Sequence, residues 1–117
     1  MPLLHKYKVS AYLSGHDHNL QHISLNNFGS TVEYIVAGAN ALNSNSVANM
    51  NTVPNGGLKF MWPSSNDYIN GGFLMVQADS KSMKINFMKS SPKTLFGIPI
   101  GGYTTSTLYT KVISPRT

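Results

Sequence analysis

The sequence predicts a β-rich fragment of an α/β protein. Short segments rich in apolar and β-branched residues are separated by Asn, Gly, Ser and Pro, which is the pattern of strands and turns. A helical period is visible only at the start, where Leu3, Leu4 and Tyr7 fit the end of a helix. Residues 8–14 predict a buried strand in which Val9, Ala11 and Leu13 alternate with small or aromatic residues, which is typical of a covered sheet in a larger α/β architecture.

The first predicted strands follow one another closely. The strand of residues 8–14 ends at Gly15, where we expect the backbone to turn sharply. Residues 20–25 and 31–37 form the next pair of strands, joined by residues 26–30, whose Asn and Gly residues tolerate positive φ. The pattern therefore predicts a hairpin directly after the first strand.

The second half of the chain contains the clearest hairpin. Residues 38–57 are rich in Asn, Ser, Gly and Ala and predict a long surface loop, after which residues 58–62 form a strand. Residues 72–79 and 82–89 then predict a hairpin with its turn at residues 79–81. In the second strand Met83, Ile85 and Phe87 face one side, and Lys84 and Asn86 face the other. Residues 73–78 are apolar on both faces, which favours a central, covered position.

The tail is the least specific part of the sequence. Residues 97–102 contain Gly and Pro and predict a linker, and residues 104–112, rich in Thr and Tyr, predict one more strand. We treat residues 1–96 as one portion of a domain and residues 97–117 as an unassigned tail.

Composition excludes several classes of partner and site. The net charge of +5 comes from scattered cations in a chain that is only 11% charged, so we expect no nucleic-acid partner. No apolar run approaches the ~18 residues of a membrane span, and the first residues do not resemble a signal peptide, so we expect no membrane partner. Without cysteine, any metal must be held by nitrogen and oxygen ligands.

The candidate site is the segment Gly15, His16, Asp17, His18 and Asn19. Two histidines separated by one residue at the carboxyl end of a strand can direct their imidazoles at one cation, and the alternative is a pair of loop histidines held by hydrogen bonds. Asp17 either orients the imidazole of a ligand histidine without binding the metal itself, or faces water. We expect Asn19 to be a turn residue rather than a ligand.

His22 offers a different possibility. With His16 and His18 it completes a pattern that fits a zinc ion held by three histidines. The competing interpretation, which we favour, is a half-buried strand histidine satisfied by a hydrogen bond. We assign no role to His5.

The sequence also resembles a known family. Residues 8–22 (KVSAYLSGHDHNLQH) are similar to the last metal-binding segment of purple, or tartrate-resistant, acid phosphatases. The resemblance covers most of residues 3–96 and does not include the tail. Its further segments are residues 34–40 (YIVAGAN), 53–60 (VPNGGLKF), 71–76 (GGFLMV) and, weakly, 93–96 (KTLF).

The resemblance implies a fold and a cofactor. The family has the calcineurin-like metallophosphoesterase fold, a four-layer α/β/β/α sandwich, of which this chain would hold mainly strands of one sheet and their hairpins. It implies a dinuclear centre in which His16 binds the divalent ion (Fe, Zn or Mn) and His18 binds Fe(III), with Asp17 and Asn19 as possible supports. Ser14 and Ala39 depart from the family pattern without touching the metals, whereas the Asn/Ser-rich residues 41–52 replace a basic loop.

The resemblance also implies a function. The substrate would be a phosphate monoester or a phosphoprotein, and the location would be secreted or lysosomal. The remaining ligands and the catalytic groups lie upstream in the family pattern, so we place no catalytic residue in this chain and expect the isolated chain to be inactive. We therefore interpret the sequence as a truncated gene model, a fragment or a short product.

Two alternatives remain open at this stage. One is a short, non-catalytic β-rich binding module that uses the Asn-rich loop or the Tyr/Thr-rich tail, and the other is the stand-alone zinc protein with three histidines. We also expect the isolated chain to aggregate, because a strand without its neighbour leaves an unpaired edge.

Overall fold

The computed structural model describes residues 2–15, 17–27, 29–39, 43, 56–67 and 69–114. Within these residues the chain is strand-rich, as predicted, with a short helix at its start. None of the helical segments described is long and apolar enough to cross a bilayer. The elements in chain order are α1 (Pro2–Lys6), β1 (Ala11–Ser14), β2 (Leu20–Asn27), β3 (Ser30–Ala37), β4 (Leu58–Trp62), β5 (Gly71–Ala78), β6 (Met83–Leu95) and β7 (Ile98–Ile113).

The first sheet has the strand order β1-β3-β2-β4. Strand β1 pairs with β3 in parallel, while β2 is antiparallel to both β3 and β4. The predicted hairpin of β2 and β3 is confirmed, with a register that runs from Leu20 opposite Ala37 to Asn27 opposite Ser30. Gly29 in the connection has a φ of 74°, a conformation that glycine adopts without strain.

The second sheet is antiparallel and has the order β5-β6-β7. The predicted hairpin of β5 and β6 is confirmed, with Gly72 opposite Lys89 and Ala78 opposite Met83. The carboxylate of Asp79 closes the turn, because its Oδ1 accepts hydrogen bonds from the backbone N–H groups of Lys81 and Ser82 at 2.7 and 2.9 Å.

The two sheets pack against each other around a small apolar core. Leu20 and Ile35 from the first sheet meet Ile85 and Phe87 from the second, and all four side chains are fully buried. Each such burial stabilises the fold by about 1.5–3 kcal/mol. Gly72 is required by close packing, because a Cβ there would lie 2.9 Å from Leu20 Cδ1. Partly buried residues around this core are Ala39, Phe60, Trp62, Leu74, Met83, Leu108, Tyr109 and Ile113.

Two strands are less covered than the sequence predicts. Among the described strands β1 pairs with β3 alone, and both Tyr12 and Leu13 are exposed, so its predicted buried position was wrong. Strand β5 is at the edge of its sheet, with Phe73 and Met75 exposed, so its central position was also wrong. Apolar side chains on both faces make burial of a strand favourable. The burial itself depends on neighbouring elements that pack on those faces.

The tail forms a strand where the sequence predicts a linker. The chain turns at Phe96 and Gly97, which have φ values of 52° and 80°, and β7 then pairs with β6 from Ile98 opposite Leu95 to Ile113 opposite Met83. The predicted strand of residues 104–112 is confirmed as part of β7. The linker was wrong because residues 98–102 belong to the same strand, in which Ile98 and Pro99 pair with Leu95 and Thr94. The predicted loop of residues 38–57 lies largely outside the described residues.

Candidate functional site

The candidate loop of residues 15–19 begins where β1 ends. Strands β1 and β3 are parallel, so their carboxyl ends lie at the same edge of the sheet, and ligands of open α/β sheets bind at such an edge. Asp17 and His18 are exposed in this loop. His16 lies outside the described residues, so its position relative to His18 stays a prediction.

Asn19 fixes the end of this loop to the sheet. Its side chain is 0% exposed, and its Oδ1 accepts a hydrogen bond from Gln21 Nε2 at 2.8 Å. Its backbone carbonyl accepts from the N–H of Gly38 at 3.1 Å, and its own N–H donates to the carbonyl of Asp17 at 2.8 Å. These bonds hold the neighbouring His18 next to the end of β3, and the interpretation of Asn19 as a turn residue rather than a ligand stays a prediction.

Gly15 does not have a backbone conformation that requires glycine. Its φ is not in the left-handed region, and a Cβ at this position would meet only the carbonyl oxygen of Ala37, at an ordinary distance of 3.8 Å. Other residues can adopt this conformation without strain. The sharp turn itself involves His16, which lies outside the described residues, and stays a prediction.

The donor set in the described part of the chain is incomplete for a metal. Among these residues there is no group of three or more His, Cys, Asp or Glu side chains that could hold an ion. Structural and catalytic metal sites use at least three protein ligands. His18 lies near the sheet edge and stays a predicted ligand, and a complete site would need donors beyond those described here.

His22 lies in a very different environment, between the two sheets. The side chain is 1% exposed, its Nε2 is 2.6 Å from Glu33 Oε2, and its Nδ1 is 2.9 Å from the hydroxyl oxygen of Tyr109. A carboxylate only accepts, so Nε2 carries the hydrogen, and the Tyr109 hydroxyl donates to Nδ1. Both ring nitrogens are therefore satisfied within the protein.

Glu33 is the charged centre of this group. Burial raises the pKa of its carboxyl, but hydrogen bonds from His22 and Ser24 and the positive charge of Lys111 outweigh that effect and hold the pKa below its ordinary value. The Lys111 Nζ is 3.5 Å from Glu33 Oε1. We call His22, Glu33, Tyr109 and Lys111 the inter-sheet cluster, because the first two belong to the first sheet and the others to β7.

The ring of Tyr109 completes the packing of this cluster. It stacks on Phe60, with ring centroids 4.7 Å apart and planes 11° apart, and meets Phe87 edge to face at 5.4 Å. Burial raises the pKa of the Tyr109 hydroxyl, and the Glu33 charge raises it further, so the hydroxyl stays protonated and available as a donor. One side chain of β7 thus joins apolar packing to a polar network.

These contacts decide between the interpretations of His22. The prediction of a strand histidine satisfied by hydrogen bonding is confirmed, although the residue is fully rather than half buried. A zinc site that included His22 would have to break its bond to either Glu33 or Tyr109 and open the space between the sheets. The structure therefore favours the structural role.

His5, to which the sequence assigns no role, is a second buried histidine. Its Nδ1 donates to the carbonyl of Ser30 at 3.2 Å, and its Nε2 accepts from the Tyr34 hydroxyl at 2.9 Å. The Ser30 hydroxyl in turn donates to the His5 carbonyl at 2.8 Å. These bonds attach α1 to β3.

Sequence reasoning missed most of the inter-sheet cluster. One signal for Glu33 was present, because it is an acidic residue among the largely apolar residues of its strand. The hairpin register also places it opposite Ser24, on the face of the sheet that carries His22. Tyr109 and Lys111 gave no signal, since the stacking of one sheet on another is not encoded in a local pattern.

Comparison with known proteins finds similarity to one kind of enzyme. No family model matches the chain. It is 43% identical over 95 residues to tartrate-resistant acid phosphatase type 5 of Rattus norvegicus, and 40% identical over 95 residues to the protein of that name from Homo sapiens. In each case the match covers 81% of this chain and 28% of the relative. The protein of that name from Sus scrofa is 38% identical over 96 residues, or 82% of this chain and 27% of the relative.

The chain thus spans less than a third of the length of these relatives. The resemblance to the C-terminal part of tartrate-resistant acid phosphatases is confirmed.

Proposed function

We propose that this chain is the C-terminal part of a dinuclear-metal acid phosphatase that hydrolyses phosphate monoesters. The observation that carries the proposal is the 38–43% identity to tartrate-resistant acid phosphatases over about four fifths of the chain. In this proposal residues 1–96 are the C-terminal portion of the metallophosphoesterase domain. The two described sheets would then belong to its α/β/β/α sandwich.

The proposed contribution of the chain to the metal centre is a pair of ligands. His16 binds the divalent ion (Fe, Zn or Mn) and His18 binds Fe(III), while the remaining donors come from other parts of the enzyme. When bound, such a pair of ions polarises the phosphate ester and activates a water molecule. The exposure of His18 at the carboxyl edge of β1 and β3 leaves it accessible for that role.

Asn19 has a positioning role in this proposal. Its bonds to Gly38 and Gln21 restrict the backbone next to His18, and metal ligands bind best when their surroundings fix their orientation. Asp17 is exposed and either faces water or orients an imidazole. Neither residue is proposed to touch the substrate.

The partners and location follow from the same proposal. The substrate is a phosphate monoester or a phosphoprotein, and the enzyme is secreted or lysosomal. In this proposal the chain by itself does not turn over substrate, because the remaining metal ligands and the catalytic groups belong to other parts of the enzyme. Two histidines cannot hold two ions in the geometry that displacement at phosphorus requires.

The first test is the intact mass of the native protein in its source. An antibody raised against residues 38–57 would detect it, and its phosphatase activity and metal content would be measured after purification. We expect a species several times heavier than 12.8 kDa that hydrolyses p-nitrophenyl phosphate and contains iron. A species of 12.8 kDa without activity would contradict the proposal.

A second test uses the 117-residue chain itself. The purified chain is incubated with iron and zinc salts and then assayed with p-nitrophenyl phosphate. We expect hydrolysis at the rate of the metal-containing buffer. Turnover by the chain that is lost in His18→Ala would contradict the statement that the chain alone is inactive.

A non-catalytic binding module is the second candidate function. The observation that favours it is the ribbon of β6 and β7, whose far end projects apolar side chains into solvent. This function does not require a metal, so it predicts a binding activity that chelators leave unchanged.

A further inference from the structure

The ribbon formed by β6 and β7 has two halves with different surroundings. In its near half Ile85, Phe87 and Met88 are buried between the sheets. In its far half every described side chain from residue 93 to residue 107 is exposed. The far half therefore projects from the body of the molecule, which measures 53 Å in its longest dimension and 20 Å in its shortest.

The end of this ribbon is apolar. Five large side chains within nine residues are each more than half exposed, and Phe96 at the turn is 95% exposed. Contiguous exposed apolar surface of this kind marks an interaction site in proteins that are otherwise polar outside. We call these residues the ribbon tip: Leu95, Phe96, Ile98, Ile100 and Tyr103.

Charge is distributed unevenly along the sequence. Among the described residues, the pairing of β6 with β7 places Lys93 near the ribbon tip, whereas Lys84 and Lys111 lie at the opposite end of the ribbon. Residues 80–117 contain no Asp or Glu and carry +6, whereas residues 1–79 hold the other three Lys and all four Asp/Glu, for −1. The cations of the basic part are Lys81, Lys84, Lys89, Lys93, Lys111 and Arg116.

Lys93 is the cation next to the ribbon tip. It is exposed, and its side chain lies beside Gly102 on the facing strand, where a Cβ would be 3.7 Å from Lys93 Cδ. An ammonium group at the base of an apolar tip can contact anionic groups at a surface while the tip enters the apolar layer beneath it. The long stem of lysine suits this arrangement.

We propose that the ribbon tip inserts into the surface of an anionic lipid membrane. The tip is convex and narrow, so it fits a deformable medium, and its apolar side chains supply one of the two signals that stable membrane binding requires. Lys93 supplies electrostatic attraction as the other, because a cation near anionic headgroups adds to the attraction, and no acidic residue within residues 80–117 opposes it. A nucleic acid would satisfy the lysines and gain nothing from Leu95, Ile98 and Ile100.

This inference does not depend on the proposed phosphatase role. From the sequence we expect no membrane partner, and the exposure of the tip, which only the fold reveals, changes that expectation. Binding at the tip needs neither a metal ion nor the loop of residues 15–19, so either proposal can fail without the other.

The test is co-sedimentation of the full chain with lipid vesicles. Vesicles of phosphatidylcholine alone are compared with vesicles containing about one third phosphatidylserine. We expect binding to the anionic vesicles that weakens as salt is added. The double variant Phe96→Ser/Ile98→Ser should lower the partition coefficient about tenfold or more.

Ile69→Ser provides the matched control. Ile69 is a large apolar residue that is 76% exposed and lies outside the ribbon, so its loss should leave vesicle binding unchanged. Urea unfolding of each variant shows whether the fold is intact, which is expected because the substituted side chains are exposed.

Three outcomes would overturn the inference. The first is no binding of the unmodified chain to anionic vesicles. The second is equal loss of binding in Ile69→Ser and in Phe96→Ser/Ile98→Ser. The third is self-association of the chain, measured by sedimentation velocity, that the double variant abolishes while the chain does not bind vesicles. This result would assign the ribbon tip to contact with a second copy of the chain.

Discussion

His18 and His22 are four positions apart in the sequence and differ in almost every physical respect. His18 is exposed in a loop at the carboxyl edge of two parallel strands, whereas His22 is 1% exposed inside a strand. His22 has both ring nitrogens bonded to residues from elsewhere in the fold, Glu33 and Tyr109. Local spacing alone does not separate a candidate ligand from a structural histidine.

The difference arises because His18 lies in the loop before β2, whereas His22 lies within β2. The loop after β1 ends at Asn19, and from Leu20 the alternation of β2 directs every second side chain between the sheets. His22 follows Leu20 by two positions and therefore shares its buried face. A polar group on that face must find partners, and Glu33 and Tyr109 provide them.

The largest expected effect comes from Glu33→Ala. Removing the carboxylate leaves the buried His22 and the partly exposed Lys111 without their acceptor, and we expect the free energy of unfolding to fall by about 3 kcal/mol. Urea denaturation measures it, with His18→Ala as the control that changes stability by less than about 0.5 kcal/mol. Equal losses in the two variants would remove the contrast between the two regions.

His22→Ala should have the next largest effect. The substitution leaves the Glu33 carboxylate and the Tyr109 hydroxyl without their shared partner, and we expect a loss of about 2 kcal/mol in the free energy of unfolding. The same denaturation experiment measures it. A His22→Ala protein as stable as the unmodified chain would show that the inter-sheet cluster contributes nothing.

Tyr109→Phe isolates one hydrogen bond of the cluster. The ring still stacks on Phe60, so only the donor to His22 is lost, and we expect a stability loss of about 1 kcal/mol. Tyr103→Phe is the control, because Tyr103 is exposed on the same strand and should show no change. If both variants lose the same amount, the hydrogen bond to His22 is not the cause.

The smallest effect is a dependence on pH. The pKa of Glu33 is below its ordinary value of 4.5 in the folded protein, so its contribution to stability is present above pH 4.5 and is lost as the pH falls through the folded pKa. We expect urea midpoints to decrease with acidification below about pH 4.5, and less steeply in Glu33→Gln. Parallel curves for the two proteins would show that Glu33 does not control this dependence.

Several elements of the fold were predictable from the sequence because their signals are local. The hairpins of β2 with β3 and of β5 with β6 follow from alternation and turn residues such as Gly29 and Asp79. The exposure of β1 and β5 and the strand at residues 98–102 were not predictable, because they depend on what lies beside each segment. Local composition carries no information about such neighbours.

The candidate site likewise has a part that the sequence indicates and a part that it does not. The His16 and His18 segment stands out as a motif, and the predicted turn role of Asn19 follows from its residue type. Tyr109 and Lys111 come from a tail that the sequence leaves unassigned, and they reach Glu33 only because β7 pairs with β6 and the two sheets stack. Contacts between segments that are far apart in sequence have no local signature.

The most direct test of the account is the iron content of matched variants of the longer phosphatase that we propose. His18→Ala and His22→Ala would be purified in parallel, and iron per folded molecule would be measured by mass spectrometry together with the denaturation midpoint. We predict that His18→Ala loses iron at unchanged stability, and that His22→Ala retains iron but unfolds at lower denaturant. Loss of iron in His22→Ala, with full retention in His18→Ala, would contradict the roles assigned to both histidines.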